Sequence, residues 1–162
     1  MITVHRDVLL MDFVSLALRM PVDEISQLEL FTGQRFDVDG VAVGNFVVDG
    51  PKWVIRNDNL ALVAGGFVPQ RPGVWRDFLL TSPEAWLPHN SFRVTRICKR
   101  LMDAMFTSGQ AHRIECIVPE RRVASRPELL RWYKVLGYKQ EAILQGYCAD
   151  GYPAISFSRV GR

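Results

Sequence analysis

The residues with the clearest chemical potential in this chain stand at the start of an amphipathic run, Asn90-Ser91-Phe92-Arg93-Val94-Thr95-Arg96. Asn90 or Ser91 suits the cap of a helix, whose first turn presents free N–H groups and the positive end of a dipole. With Arg93 and Arg96 following on the same element, such a start is a site for a phosphate or diphosphate. Other spacings exclude chemistry. Asp37-Val38-Asp39-Gly40 begins like a calcium loop but lacks the later acidic ligands, so it reads as a turn. Gly40-Val41-Ala42-Val43-Gly44 lacks the third glycine and the following helix of a dinucleotide fingerprint. Cys98, Cys116 and Cys148 stand singly in apolar patterns without metal-ligand spacing, as reduced core residues of a cytosolic protein would. No metal is expected.

The elements that must position such residues can be read from periodicity. Val94, Ile97, Cys98, Leu101, Met102 and Met105 step by three and four, which predicts a helix over 91–107 with Arg93, Arg96, Lys99, Arg100 and Asp103 on its solvent side. The runs 53–56, 60–68 and 74–81 are rich in β-formers and read as an antiparallel meander, broken by Asn57-Asp58-Asn59 and by the stretch Pro69 to Gly73. Gly65-Gly66 within the second run marks a bulge or a close backbone approach. Ile2–His5 reads as an edge strand, 7–19 as a first helix, and Pro21 onward as a second that ends near Gly33. The stretch 35–49 matches no template. At the other end, 140–148 and 154–160 read as a hairpin around Asp150-Gly151.

Composition bounds the function. The chain has 162 residues, 48% hydrophobic and 23% charged, enough for one domain over 1–162 with a real core. The net charge of 20 − 17 = +3 is too mild for a nucleic-acid partner. Basic residues do cluster in 93–100 and 121–131, where solvated faces or a phosphate-bearing ligand would both use them. The apolar run 8–18 is short and interrupted by Asp12, so it is expected as a core helix and not as a signal peptide or membrane span.

The most informative wording lies in 112–138. Arg113–Val118 suits a buried strand. Pro127-Glu128 opens a helix carrying Leu129, Trp132, Tyr133 and Leu136 at helical spacing, and Gly137 stops it. Trp132-Tyr133-Lys134-Val135-Leu136-Gly137-Tyr138 resembles the aromatic-Tyr-x-x-Leu-Gly-aromatic signature of the last helix in GNAT N-acetyltransferases, with an Ile-Glu strand upstream. The resemblance covers the chain from about Trp53 onward well and the first fifty residues loosely.

It implies an α/β (α+β layered) fold. The sheet would be central, mixed and mostly antiparallel, of about six to seven strands, flanked by helices, with a splayed parallel pair of fourth and fifth strands. It implies acetyl-CoA as co-substrate, with Phe78, Leu79 and Leu80 beside the pantetheine arm and Asn90, Ser91, Phe92, Arg93 and Arg96 at the pyrophosphate. Arg126, in a basic insertion over 121–126, would meet the 3′-phosphate or the acceptor. Glu115 would act as general base and Tyr133 as general acid, with His112, His89 and Glu120 as rival bases. The acceptor would be an amine, such as a lysine of a host protein, in the cytoplasm. One feature departs from the family: the usual glycine-rich pyrophosphate loop is absent, and His89-Asn90-Ser91-Phe92-Arg93-Val94 stands in its place. That loop, the strand at 74–81 and the compact length are most similar to divergent GNAT-type proteins of small tailed bacteriophages. Some members of that group are virion-associated or bind host proteins, so a catalytically degenerate protein-binding module is the alternative reading.

Overall fold

The computed structural model describes residues 1–161. The elements run β1 (Ile2–His5), α1 (Leu10–Leu18), α2 (Val22–Thr32), α3 (Val38–Val47), β2 (Lys52–Asn57), β3 (Leu60–Arg71) and β4 (Val74–Thr81). After a 3₁₀ turn at Pro83–Trp86 come α4 (Pro88–Thr107), β5 (Arg113–Pro119), α5 (Glu120–Ser125), α6 (Glu128–Leu136), β6 (Lys139–Leu144) and β7 (Ala154–Val160). The strands form one seven-stranded sheet in the order β1-β2-β3-β4-β5-β7-β6. All neighbours are antiparallel except β4 and β5.

Strand alternation sorts side chains onto the two faces of the sheet. Trp53 and Ile55 of β2, Leu79 of β4 and Ile114 and Val118 of β5 pack with Val94, Cys98, Leu101, Met102 and Met105 of α4 and with Leu129, Tyr133 and Leu136 of α6. Val54, Ala64, Phe78 and Leu80 face the other way, onto Phe13 and Leu16 of α1, Ile25 and Leu28 of α2 and Ala42 of α3. Asp12, the interruption in the first apolar run, is nearly buried. It accepts from Leu9 N at 2.8 Å and holds Arg56 of β2 through bonds of 3.0 and 2.7 Å, fixing α1 to the sheet. A carboxylate bonded to both an entering amide and a guanidinium is stabilised where a lone one would be costly.

Several local expectations are corrected. Residues 38–47 form a helix, with Asp37 as its cap accepting from Gly40 N at 2.7 Å. The stretch that begins like a calcium loop is therefore a helix start. The break between β3 and β4 is only Pro72-Gly73, since β3 runs through Pro69 to Arg71 with a register shift that accommodates the missing proline donor. At Gly65 and Gly66 the pairing to both neighbouring strands is regular. A Cβ at Gly65 would stand 2.6 Å from Phe78 O, so close approach, not a bulge, requires glycine there. β6 is shorter than expected, and the basic insertion at 121–126 contains the short helix α5. Among the described residues, no helix is long and apolar enough to cross a membrane, and no cluster of His, Cys, Asp or Glu is placed to hold a metal ion.

Candidate active site

β4 and β5 pair at Val74↔Arg113, Trp75↔Ile114 and Arg76↔Glu115 and then part. Each keeps its outer partner to the end: Thr81 of β4 stays opposite Val63 of β3, and Pro119 of β5 stays opposite Ala154 of β7. The sheet therefore opens into a wedge, and a cavity of about 400 Å³ occupies it. A polar strut crosses the wide end. Thr81 N donates to Glu24 Oε2 of α2 at 3.3 Å, and Thr81 Oγ1 bonds the same carboxylate. Arg122 of α5 approaches Glu24 at 3.5 Å and Asp23 at 3.8 Å. One chain of charge thus joins the end of β4 to the segment that follows β5. Burial raises the Glu24 pKa against the opposing pull of Thr81 and Arg122.

On the α4/α6 side the cavity is lined by Asp77, Leu79, Cys116, Leu129, Trp132 and Tyr133. Helical spacing in α6 buries Leu129, Tyr133 and Leu136 together, and Gly137 closes the helix in the left-handed region at φ 93°. Tyr133 stacks on Phe157 at 4.7 Å and meets Tyr138 edge-on at 6.0 Å. Burial pushes its phenol well above the usual range, and the neighbouring Cys116 and Asp77 push the same way. The phenol is thus held protonated, as a proton donor must be. Burial also drives Asp77 up to about 6, against the bond it accepts from Tyr138 OH at 2.7 Å and a second from Cys116. Asp77 was not among the residues singled out from sequence. Its signal was a lone acid inside the apolar strand Val74-Trp75-Arg76-Asp77-Phe78-Leu79-Leu80.

The backbone of β4 is also available. Ser82 N donates to Leu62 O of β3, so alternation turns Thr81 and Leu79 toward the gap. Thr81 N is taken by Glu24, and the Leu79 N–H and C=O face the space that β5 has left. Phe78 and Leu80 point their side chains to the α1/α3 face, where Phe78 stacks on Phe13 at 6.5 Å.

The structure does not bring Glu115 to this cleft. It follows Ile114 and precedes Cys116 on β5, so it projects from the face opposite Tyr133. Its Oε1 accepts from Arg113 Nε at 2.7 Å, with Arg71 at 4.0 Å. Neither His89, His112 nor Glu120 lines the cavity. Arg126, expected beside the cofactor's 3′-phosphate or the acceptor, instead bonds Asp23 at 2.7 Å and Glu128 at 2.8 Å, because α5 carries it back toward α2.

The start of α4 is also corrected. The helix begins at Pro88, and neither Asn90 nor Ser91 caps it. Pro88 has no N–H, while Asn90 N and Ser91 N both donate to Leu87 O at 2.8 and 2.9 Å, which leaves only His89 with a free amide in the first turn. The Asn90 side chain is buried and donates to Glu84 O at 2.8 Å. Phe92 and Arg93 are exposed, and Arg96 lies over the Phe92 ring at 4.6 Å. These side chains offer positive charge, but not the wrapping backbone of a glycine loop.

No protein-family model matches the chain, and no curated protein matches it. Solved structures do. The ribosomal-protein-S18-alanine N-acetyltransferase from Escherichia coli superposes with a TM-score of 0.70 over 100% of this chain and 96% of that one, at 14% identity. A chimeric spermidine N-acetyltransferase from Vibrio cholerae gives 0.68 over 98% and 95%, at 12% identity. The aminoglycoside acetyltransferase AAC(6′)-Ib bound to coenzyme A gives 0.68 over 99% and 95%, at 13% identity. The fold, with its seven-stranded sheet and parted parallel pair, is that of the GNAT acetyltransferases.

Proposed function

We propose that this chain is an acetyl-CoA-dependent N-acetyltransferase that transfers acetyl directly to an amine. One observation carries the reading: the gap between β4 and β5 has a buried, protonated Tyr133 at its wall and free backbone groups of Leu79 along its edge. Acetyl-CoA would supply the activated thioester. Leu79 would pair with its extended arm, Trp86, Leu129 and Trp132 would exclude water, and His89 N–H with Arg93 would face its phosphates. This gap fits the arm well and the phosphates sparingly.

An alkyl ammonium with a pKa of about 10.4 is only about 0.04% neutral at pH 7, which alone costs on the order of 4–5 kcal/mol, so a proton acceptor near the cleft matters. Two carboxylates line it. Glu24 is engaged by Thr81 and Arg122, whereas Asp77, with a pKa of about 6, is assigned as the acceptor. Tyr133 is assigned as the donor to the leaving sulfur. The acceptor class is an amine; a lysine of a host protein belongs to that class, as the resemblance to phage GNAT-type proteins implies. Calorimetry with acetyl-CoA tests the proposal, and a melting temperature that rises with acetyl-CoA concentration supports it. No binding at millimolar acetyl-CoA sinks it.

The start of α4 favours a second reading. With one free amide and no glycine, the phosphate end suits a GNAT fold that has lost catalysis and binds a protein, whether of a host or of a virion. A stoichiometric partner retained by Tyr133→Phe would support that reading, and acetylation of that partner by the wild type would refute it.

A further inference from the structure

Arg76 is the last residue of β4 paired with β5, and it lines the cavity. It shares the β4 face of Phe78 and Leu80, toward the α1–α3 layer and opposite Asp77 and Tyr133. Its Nε is shut off from solvent and has no hydrogen-bond partner. Among the described residues, Arg76 enters no ion pair and no side-chain hydrogen bond. Its cross-strand neighbour Glu115 is held by Arg113 at 2.7 Å. The other guanidinium of the cavity, Arg122, is neutralised by Asp23 and Glu24, and Asp77 is held by Tyr138. The α2/α3 side of the cavity therefore carries one guanidinium that no carboxylate bonds, felt only at longer range by Asp77, and the amides of Gln27 and Asn45 line the same cavity. A half-buried guanidinium that no carboxylate bonds can take one from a ligand, and its planar fork matches a carboxylate or phosphate.

We propose that Arg76 recognises an oxyanion on the acceptor, so that the amine acetylated here carries a carboxylate or phosphate a few bonds from its nitrogen. This deepens the reading above and rests on it for the identity of the bound molecule as acceptor. It also separates this cleft from one made for a polyamine. An ammonium-rich chain would meet Arg76 as a like charge.

The test uses N-acetylglycine, its neutral amide, N-acetylphosphoethanolamine and spermidine as probes, titrated by calorimetry and NMR into the full chain. In the wild type, one of the two anionic probes binds about tenfold or more tighter than the amide, and which one wins distinguishes carboxylate from phosphate. In Arg76→Gln that preference falls to near unity, and in Arg76→Lys it is intermediate, because charge remains without the fork. Equal binding of anionic and neutral probes to the wild type, tighter binding of spermidine, or no binding of any probe at millimolar concentration overturns the proposal. If Arg76→Gln does not fold, the wild-type preference and the Arg76→Lys variant decide. No probe contains coenzyme A, so this outcome is read separately from acetyl-CoA binding.

Discussion

The wall of the cleft and its outer end are built by opposite means. At the wall, Tyr133 is pinned by Phe157 and Tyr138, and Asp77 and Cys116 complete a buried set of exchangeable protons. At the outer end, α4 begins with Pro88, two of its first amides turn inward to Leu87, and its arginines stand in solvent. Burial fixes geometry and shifts proton affinities, whereas an exposed cation gives a weak, salt-screened attraction. On the proposed reading, the difference teaches that proton handling would be the more developed half of this site and the grip on phosphate the less developed one.

That contrast can be broken most decisively at Tyr133. Removing the hydroxyl in Tyr133→Phe leaves the stacking ring in place, and kcat is expected to fall by about 10²–10⁴ with the acetyl-CoA-induced rise in melting temperature unchanged. An unaltered kcat would place proton donation elsewhere.

Asp77→Asn sharpens the same half. The folded-state pKa of about 6 lies above the ordinary 3.8, so the fold favours the protonated acid. That stabilisation is complete below about pH 4 and is lost as pH rises through 6. The asparagine variant should therefore melt roughly a few degrees above wild type at pH 8, with the gap closing toward pH 4. Wild-type kcat/KM should rise through about pH 6, and the variant should lose that limb. Melting curves and pH–rate profiles read the two effects, and a pH-independent gap would count against a titrating Asp77.

The smallest effect belongs to the outer end. Arg93→Ala should weaken coenzyme A binding by no more than about threefold at low salt, and the difference should vanish at high salt. A loss of tenfold or more that persists in salt would mean that this end grips phosphate better than its geometry implies.

The sequence carried most of the fold because its decisive segments are periodic. The heptad-like spacing of Val94 to Met105 and the Leu129–Gly137 run each define a helix that nothing in the tertiary structure overrides. The helix α3 escaped because its valines and glycines are poor helix formers and its apolar residues show no single face; packing of Ala42 and Phe46 on α1 supplies what propensity lacks. The place of Tyr133 on the cleft wall was legible, because its helical neighbours fix its burial. It was not legible at Glu115, because one position along a strand reverses the face, and sequence pattern alone did not say which of Glu115 and Cys116 looks into the cleft. Arg126 illustrates a different limit: Asp23, a residue distant in sequence, captures it.

The three residue pairs that join β4 to β5 give this protein a mechanical seam. On one side lie β1 to β4, on the other β5 to β7, and beyond Arg76 the divide is spanned outside the sheet, by the Glu24–Arg122 bridge, the Tyr138–Asp77 bond and the bond from Ala149 N to Leu30 O. A molecule seated there would act as a staple between two half-sheets, so occupancy should stiffen the whole barrier-less middle of the sheet and not merely the few groups it touches.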